Sequence, residues 1–195
     1  MGYDGLEMAT WGHINCKKAA MDEDYVKKIK DTLNKYGLAC YALGAHLPGQ
    51  CVGDLWDKRL DGFAPAEYAG QPEKIRAWAI EEMKDTARAA KAMGCKVVTG
   101  FMGSAIWKYW YSFPQTSEEM IGDAYKEQVE LWTPIFDVFD DCGVKFALEV
   151  HPTEIAFDTF SARKALEALD YHPSFGFNYD PSHLGYQGVD YVDFI

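Results

Sequence analysis

A glycine separates a helix-like segment from an apolar, strand-like segment at three places in this 195-residue sequence. The junctions are Tyr36-Gly37-Leu38, Met93-Gly94-Cys95 and Cys142-Gly143-Val144. Glycine commonly ends a helix because it adopts the left-handed conformation there without steric cost. Strands that alternate with helices of this length form parallel βαβ units. The repeat therefore predicts an α/β fold.

Five short runs rich in aromatic or β-branched residues have the pattern of strands, at residues 3–8, 38–45, 96–101, 144–150 and 175–180. Helical periodicity occupies residues 22–36, 72–93, 117–142 and about 158–169 between them. Asp22 and Ser117 are suited to cap their helices, and Pro72 suits a first turn. Pro134 is expected to kink or divide the third helix.

Two architectures are compatible with this order, an open doubly wound sheet and a (β/α)₈ TIM barrel. The sequence contains no glycine-rich phosphate loop of the kind that usually accompanies the open sheet. Polar residues follow several strands instead, as at the catalytic end of a barrel. A barrel needs eight strands and about 250 residues. We therefore expect one domain over residues 1–195, truncated at both ends: an incomplete barrel of about five parallel strands with outer helices.

Composition excludes some functions. The formal net charge of −11 disfavours nucleic acid or an anionic membrane as the main partner. The five cysteines form no C-x-x-C pair and are odd in number, which suggests reduced thiols. No apolar run approaches the roughly 20 residues that span a bilayer, and the first residues lack a signal-peptide pattern. We expect a cytoplasmic protein, and a homo-oligomer remains open.

Two apolar runs end in a carboxylate and an imidazole, with Glu149 and His151 in one and Asp180 and His183 in the other. Oxygen and nitrogen donors at strand ends suit a divalent cation. Strand alternation places Glu149 and His151 on one face, so we expect the carboxylates of Glu149 and Asp180 to lie within roughly 6 Å of each other. The alternative is that Asp180 caps the following Pro-Ser turn and that His151 is a packed histidine.

Other polar and aromatic residues have two interpretations each. His183 is either a metal ligand or a substrate contact. His46, followed by a Leu-Pro-Gly loop, either faces the same mouth or is structural. Trp107 opens an aromatic loop that either stacks on sugar faces or packs on its own barrel or on a partner subunit. Trp11 has the same two interpretations, and Glu7 is either an interior polar residue or a substrate contact.

Four motifs together resemble the sugar phosphate isomerase/epimerases of the xylose isomerase-like TIM-barrel superfamily. They are Gly2-Tyr3-Asp4-Gly5-Leu6-Glu7, Ala45-His46-Leu47, Leu148-Glu149-Val150-His151-Pro152-Thr153-Glu154 and Asn178-Tyr179-Asp180-Pro181-Ser182-His183-Leu184. The resemblance spans nearly the whole chain. It implies that the chain runs from the second barrel strand through the sixth.

By this resemblance Glu149 and Asp180 are two of four ligands of a divalent metal ion (Mn, Mg, Zn or Co), and His183 holds a substrate oxygen. The remaining ligands in the family, a His and a Glu, lie on the seventh and eighth strands. The substrate would be a small sugar or sugar phosphate, with substrate contacts from His46, His151, Glu7 and Trp107. Glu149 would also be the catalytic acid/base of an isomerase or epimerase that works by enediolate-type proton transfer. A hydride shift, as in xylose isomerase, remains open.

Two other functions compete with this interpretation. A non-catalytic truncated fragment or sugar-binding piece follows if the absent strands are essential. An apurinic endonuclease of the same superfamily uses additional histidines, whereas the run at 97–101 ends without one. The acidic charge also opposes DNA binding, so the endonuclease is the less favoured alternative.

Overall fold

The computed structural model of the protein describes residues 2–195 and contains one five-stranded parallel sheet. Its strands are β1 (Gly5–Ala9), β2 (Ala39–Gly44), β3 (Val97–Gly100), β4 (Lys145–Glu149) and β5 (Phe175–Asn178). They pair in sequence order with no reversal. An open doubly wound sheet reverses its order at a switch point, so the unbroken order confirms the prediction of an incomplete α/β barrel.

The helices connect successive strands. They are α1 (Thr10–His13), α2 (Cys16–Ala19), α3 (Glu23–Lys35), α4 (His46–Gly53), α5 (Pro72–Met93), α6 (Glu118–Cys142), α7 (Thr159–Ala168) and α8 (Pro181–Tyr186). Three short 3₁₀ helices lie in the longer loops, at Leu60–Gly62, Ala66–Tyr68 and Trp107–Tyr109. None of the helices between residues 2 and 195 is long and apolar enough to cross a membrane.

An aromatic core joins α6 to the helix-facing side of the sheet. Trp132 and Phe136 of α6 contact Phe146 of β4, at ring-centroid distances of 5.0 and 5.9 Å. Phe136 also contacts Phe175 of β5. Burying an aromatic side chain of this kind contributes about 1.5–3 kcal/mol. This core fixes the last two strands against α6 and so fixes the positions of the residues that follow them.

The predicted helix ends are confirmed at several positions. The Asp22 side chain accepts a hydrogen bond from the Tyr25 N–H at 2.9 Å, and Ser117 accepts one from the Met120 N–H at 3.2 Å. Gly143 ends α6 at a φ of 65°, in the left-handed region. Pro134 does not divide α6, which continues as one α-helix from Glu118 to Cys142, so the division is wrong and a kink stays a prediction.

The expected Leu-Pro-Gly loop after His46 is wrong, because these residues form α4. Two glycines allow α4 to lie against the segment after β3. A Cβ on Gly49 would lie 2.0 Å from the Phe101 carbonyl oxygen, and one on Gly53 would lie 2.5 Å from that of Met102. Close backbone packing therefore places the first residue of α4, His46, beside the end of β3.

Candidate metal centre and substrate site

The polar residues predicted at strand ends come together at the carboxyl end of the sheet. Glu149 is the last residue of β4, and His46 follows β2 by two residues. Asp180 follows β5 and caps α8, which carries His183. Because the strands are parallel, their carboxyl ends meet at one edge. The topology therefore explains why residues from three separate segments share one site.

Glu149 is the centre of this cluster. Its Oε2 lies 3.1 Å from His46 Nε2, and its Oε1 lies 3.0 Å from His183 Nε2. Asn178 Nδ2 donates a third hydrogen bond to Oε2 at 3.2 Å. The hydrogen bond with His46 lowers the pKa of Glu149 below its ordinary value, although partial burial acts in the opposite direction. The surroundings therefore favour the ionised carboxylate.

The structure shows the capping role of Asp180 and leaves its second oxygen facing the cluster. Its Oδ1 accepts the Ser182 N–H at 2.7 Å, which is the turn-capping role. Its Oδ2 lies 3.6 Å from His183 Nε2, facing the cluster. The hydrogen bonds with Ser182 lower the pKa of Asp180. One oxygen thus fixes the start of α8 while the other remains directed toward His183.

Glu149, Asp180 and His183 each offer a donor atom, and these three atoms lie within 4.8 Å of one another. Two carboxylates and an imidazole are a donor set suited to Mn²⁺, Mg²⁺, Zn²⁺ or Co²⁺. The residues present therefore fit a divalent ion in both spacing and chemistry. The resemblance assigned His183 to the substrate, whereas its position also suits a ligand.

His151 lies beside this cluster. Its ring centroid is 4.2 Å from that of His183 and 5.0 Å from that of Phe101. Its Nδ1 contacts the Pro152 carbonyl oxygen. Burial lowers the pKa of His151, so the neutral imidazole is favoured. A neutral ring here forms a wall of the site and adds no charge to it.

Glu7 reaches across β2 toward His46. A Cβ on Gly44 would lie 2.7 Å from Glu7 Oε1 and 3.5 Å from His46 Nδ1. His46 Nδ1 is buried and has no hydrogen-bond partner among residues 2–195. Trp11 places its ring edge-on to His46, at a centroid distance of 5.8 Å. Glu7 and Trp11 therefore border the site on the side of β1.

Trp107 lies farther from the carboxylates, in the 3₁₀ helix Trp107–Tyr109. Its ring packs edge-on against Phe157 at a centroid distance of 4.8 Å. It also lines a cavity of about 670 Å³ together with Phe101. Trp107 therefore packs on the protein itself, and its stacking on a sugar stays a prediction.

Three residues of this region were missed or given no site role from the sequence. Phe101 contacts the rings of both His46 and His151. Asn178 shares the Glu149 face but was given no role. Glu154 is fully buried, and its Oε2 accepts the backbone N–H groups of Met102 and Gly103. The available signal for Glu154 was its position directly before the apolar residues 155–157.

A parallel barrel-type sheet with polar side chains gathered at its carboxyl edge is the arrangement of TIM-barrel proteins. The model of the family described as "Xylose isomerase-like TIM barrel" matches residues 1–195, the whole chain. The chain belongs to this family. The resemblance drawn from four short motifs is thereby confirmed.

Solved structures with the same fold include several sugar epimerases. The 3-keto-D-glucoside 4-epimerase YcjR from E. coli has a TM-score of 0.67 and 15% identity, with 99% of this chain and 64% of that chain covered. The probable 3-DHS dehydratase AsbF from Bacillus anthracis has a TM-score of 0.63 and 20% identity, over 99% and 58%. IolI with a bound zinc atom has a TM-score of 0.58 and 18% identity, over 97% and 57%.

These likenesses establish the fold. The chain spans about six tenths of the length of the structures that it matches. A comparison with curated proteins found no match.

Proposed function

We propose that the protein is a divalent-metal-dependent sugar isomerase or epimerase that works by proton transfer at the carboxyl edge of the sheet. Glu149, Asp180 and His183 would hold the ion. When bound, a divalent ion polarises substrate oxygens and makes the neighbouring C–H group more acidic. The single observation that supports the proposal most strongly is the approach of these three donor groups to within 4.8 Å.

Glu149 is the proposed base. It is held ionised by His46 and His183, which contact its two oxygens at 3.1 and 3.0 Å. A carboxylate at this position can accept a proton from a sugar carbon and return it to the neighbouring carbon on the same face, which is isomerisation. Epimerisation would need a second acid on the opposite face of the sugar. The fixed contacts hold its orientation before substrate arrives, which reduces the entropic cost of reaction.

The surrounding aromatic rings support a sugar as the substrate class. Phe101, Trp11 and His151 border the polar cluster. Aromatic faces pack on the C–H faces of sugars, while carboxylates and imidazoles bind hydroxyl groups. The sugar epimerases among the structural neighbours support the same class.

The proposal is tested with a panel of ketoses and their phosphates in the presence of Mn²⁺, Mg²⁺, Zn²⁺ or Co²⁺, with products separated by chromatography. Conversion of at least one sugar, dependent on the ion and abolished by chelation, is the expected result. Glu149→Gln should remove this activity, while the same change at the exposed Glu167 should not.

A sugar-binding protein without turnover is the second candidate. The observation in its favour is the share of the neighbours that the chain covers, 58% of AsbF and 64% of YcjR. Binding of Mn²⁺ and sugar with no conversion of any sugar in the panel would favour this candidate over the isomerase.

A further inference from the structure

A cavity of about 670 Å³ lies beside the carboxylate–imidazole cluster, and none of Glu149, Asp180 and His183 lines it. Its walls are the loop after α4, the segment after β3 and the loop after β4. The lining combines four aromatic rings with two acidic and two basic side chains. Small-molecule sites are commonly clefts of about 300–1,000 Å³.

Two residues connect the cavity to the cluster. Phe101 lines the cavity, and its ring contacts His46 and His151 at centroid distances of 4.8 and 5.0 Å. Thr153 lines the cavity two residues after His151. Glu149 and His183 themselves do not line it. A ligand that occupied both the cluster and this cavity would therefore need a second group besides the sugar ring held at Glu149.

The cavity has the chemistry of a sugar-ring site. Phe63, Phe101, Trp107 and Tyr111 supply aromatic surface. Gln50 and Asp54 supply amide and carboxylate groups that can bind hydroxyl groups. Asp54 also accepts the Ser104 N–H at 3.1 Å, which fixes its position.

The basic side chains that line the cavity are not free to bind an anionic ligand. Asp57 Oδ2 lies 2.6 Å from Arg59 Nη2 and 2.9 Å from Lys108 Nζ, so both cations are already paired. Lys108 also donates to the Leu55 carbonyl oxygen at 2.6 Å. The two acidic residues Asp54 and Asp57 and the two basic residues Arg59 and Lys108 give the lining a formal charge of zero. A phosphate would meet no unpaired cation among them.

Thr153 is a second, independent feature of this wall. Its φ of 88° is in the left-handed region, which a β-branched residue rarely adopts. Such conformations cost about 1–3 kcal/mol and concentrate at ligand-binding and active sites. The strain is located at the loop that links His151 to the cavity.

We propose that this cavity binds a second, uncharged ring of the substrate, so that the protein acts on a glycoside in preference to a free or phosphorylated monosaccharide. The proposal rests on the proposed function, since it places the reacting sugar at Glu149. The aromatic side chains of the cavity would hold the second ring. Phe101 would lie between this ring and the reacting sugar at Glu149.

Isothermal titration with glucose, cellobiose and glucose 6-phosphate tests this assignment on the 195-residue protein. We expect cellobiose to bind about tenfold more tightly than glucose, because a second ring gains stacking and hydrophobic contact. Glucose 6-phosphate should bind no more tightly than glucose. Tyr111→Ala should reduce the cellobiose advantage severalfold. Tyr111 is 91% exposed, so its removal leaves the fold intact.

Tyr36→Ala is the matched control, because Tyr36 is 70% exposed and lies at the end of α3 away from the cavity. Equal affinity for glucose and cellobiose, tighter binding of glucose 6-phosphate, or no binding of cellobiose would each overturn the assignment. The ratio of the cellobiose affinity to the glucose affinity should be unchanged in Glu149→Gln. In the wild-type protein, absence of any turnover with the ratio intact would count against the proposed function alone, whereas turnover with a ratio of one would count against this inference alone.

Discussion

His46 Nε2 lies 3.1 Å from Glu149 Oε2, although 103 residues separate the two in the sequence. The contact joins the segment after β2 to the end of β4, across β3. It exists because α4 packs against the segment after β3 and so fixes the position of its first residue, His46. An imidazole at this distance both orients Glu149 and keeps it ionised.

Replacing His46 with leucine should weaken Mn²⁺ binding by about tenfold or more, because groups that orient a ligand typically contribute 10–100-fold to metal affinity. Isothermal titration measures the change. The same substitution at the exposed His13 is the control and should leave Mn²⁺ affinity unaltered. Equal affinities for both variants would contradict the orienting role of His46.

Two substitutions at Asp180 separate its capping role from its proposed metal-binding role. Asp180→Asn keeps a good helix-capping side chain, so it should lower Mn²⁺ affinity at least about tenfold and leave stability nearly unchanged. Asp180→Ala should lower the affinity similarly and also cost about 0.5–2 kcal/mol of stability through loss of the cap. Titration and urea unfolding give the two quantities. Wild-type Mn²⁺ affinity in Asp180→Asn would remove Asp180 from the ligand set.

Gly49→Ala should destabilise the protein by about 1–3 kcal/mol, because the new Cβ would lie 2.0 Å from the Phe101 carbonyl oxygen. Gly122→Ala is the matched control. Gly122 lies inside α6, and a methyl group added there would meet no atom of another element within 4 Å, so this change should stabilise by about 0.5–1 kcal/mol. Urea unfolding followed by circular dichroism distinguishes the two. An unchanged free energy of unfolding in Gly49→Ala would show that α4 does not need this close approach.

Glu154 should make stability depend on pH. Burial raises its pKa from 4.5 to about 8, with Asp54 and Gln50 also facing it. Between these values the unfolded chain has lost the proton that the folded protein retains, so stability should fall as pH rises from about 4.5 to 8. Glu154→Gln keeps an oxygen that can accept the Met102 and Gly103 N–H groups and removes the titration.

The free energy of unfolding of Glu154→Gln should therefore rise relative to wild type between about pH 5 and pH 8. Urea unfolding at the two pH values measures this difference, with Glu167→Gln as the exposed control. A difference between Glu154→Gln and wild type that does not change with pH would mean that Glu154 is ionised in the folded protein throughout this range.

Local chemistry made the strands and long helices predictable. Apolar runs, capping residues such as Asp22 and Ser117, and helix-ending glycines act within a few residues, so the sequence displays them directly. The convergence of Glu149 and Asp180 was predictable for a topological reason, since parallel strands end at one edge.

Features that depend on contacts between distant segments were not predictable. Helix α4 contains Pro48 and two glycines, which local propensity disfavours, and forms because it packs against the backbone after β3. The bond from His46 to Glu149 depends on that packing, and so does the position of Phe101. Glu154 looked like an ordinary polar residue because its two backbone partners lie more than 50 residues away.

The central claim is that Glu149 exchanges a proton with the substrate carbon. Incubation of an active ketose with the protein in deuterated water, with Mn²⁺ present and ¹H NMR as the readout, tests it most directly. We predict deuterium incorporation at the carbon next to the carbonyl by the wild type and none by Glu149→Gln, because an amide cannot accept the proton. His183→Ala should retain exchange at a reduced rate. Full exchange by Glu149→Gln would contradict the account.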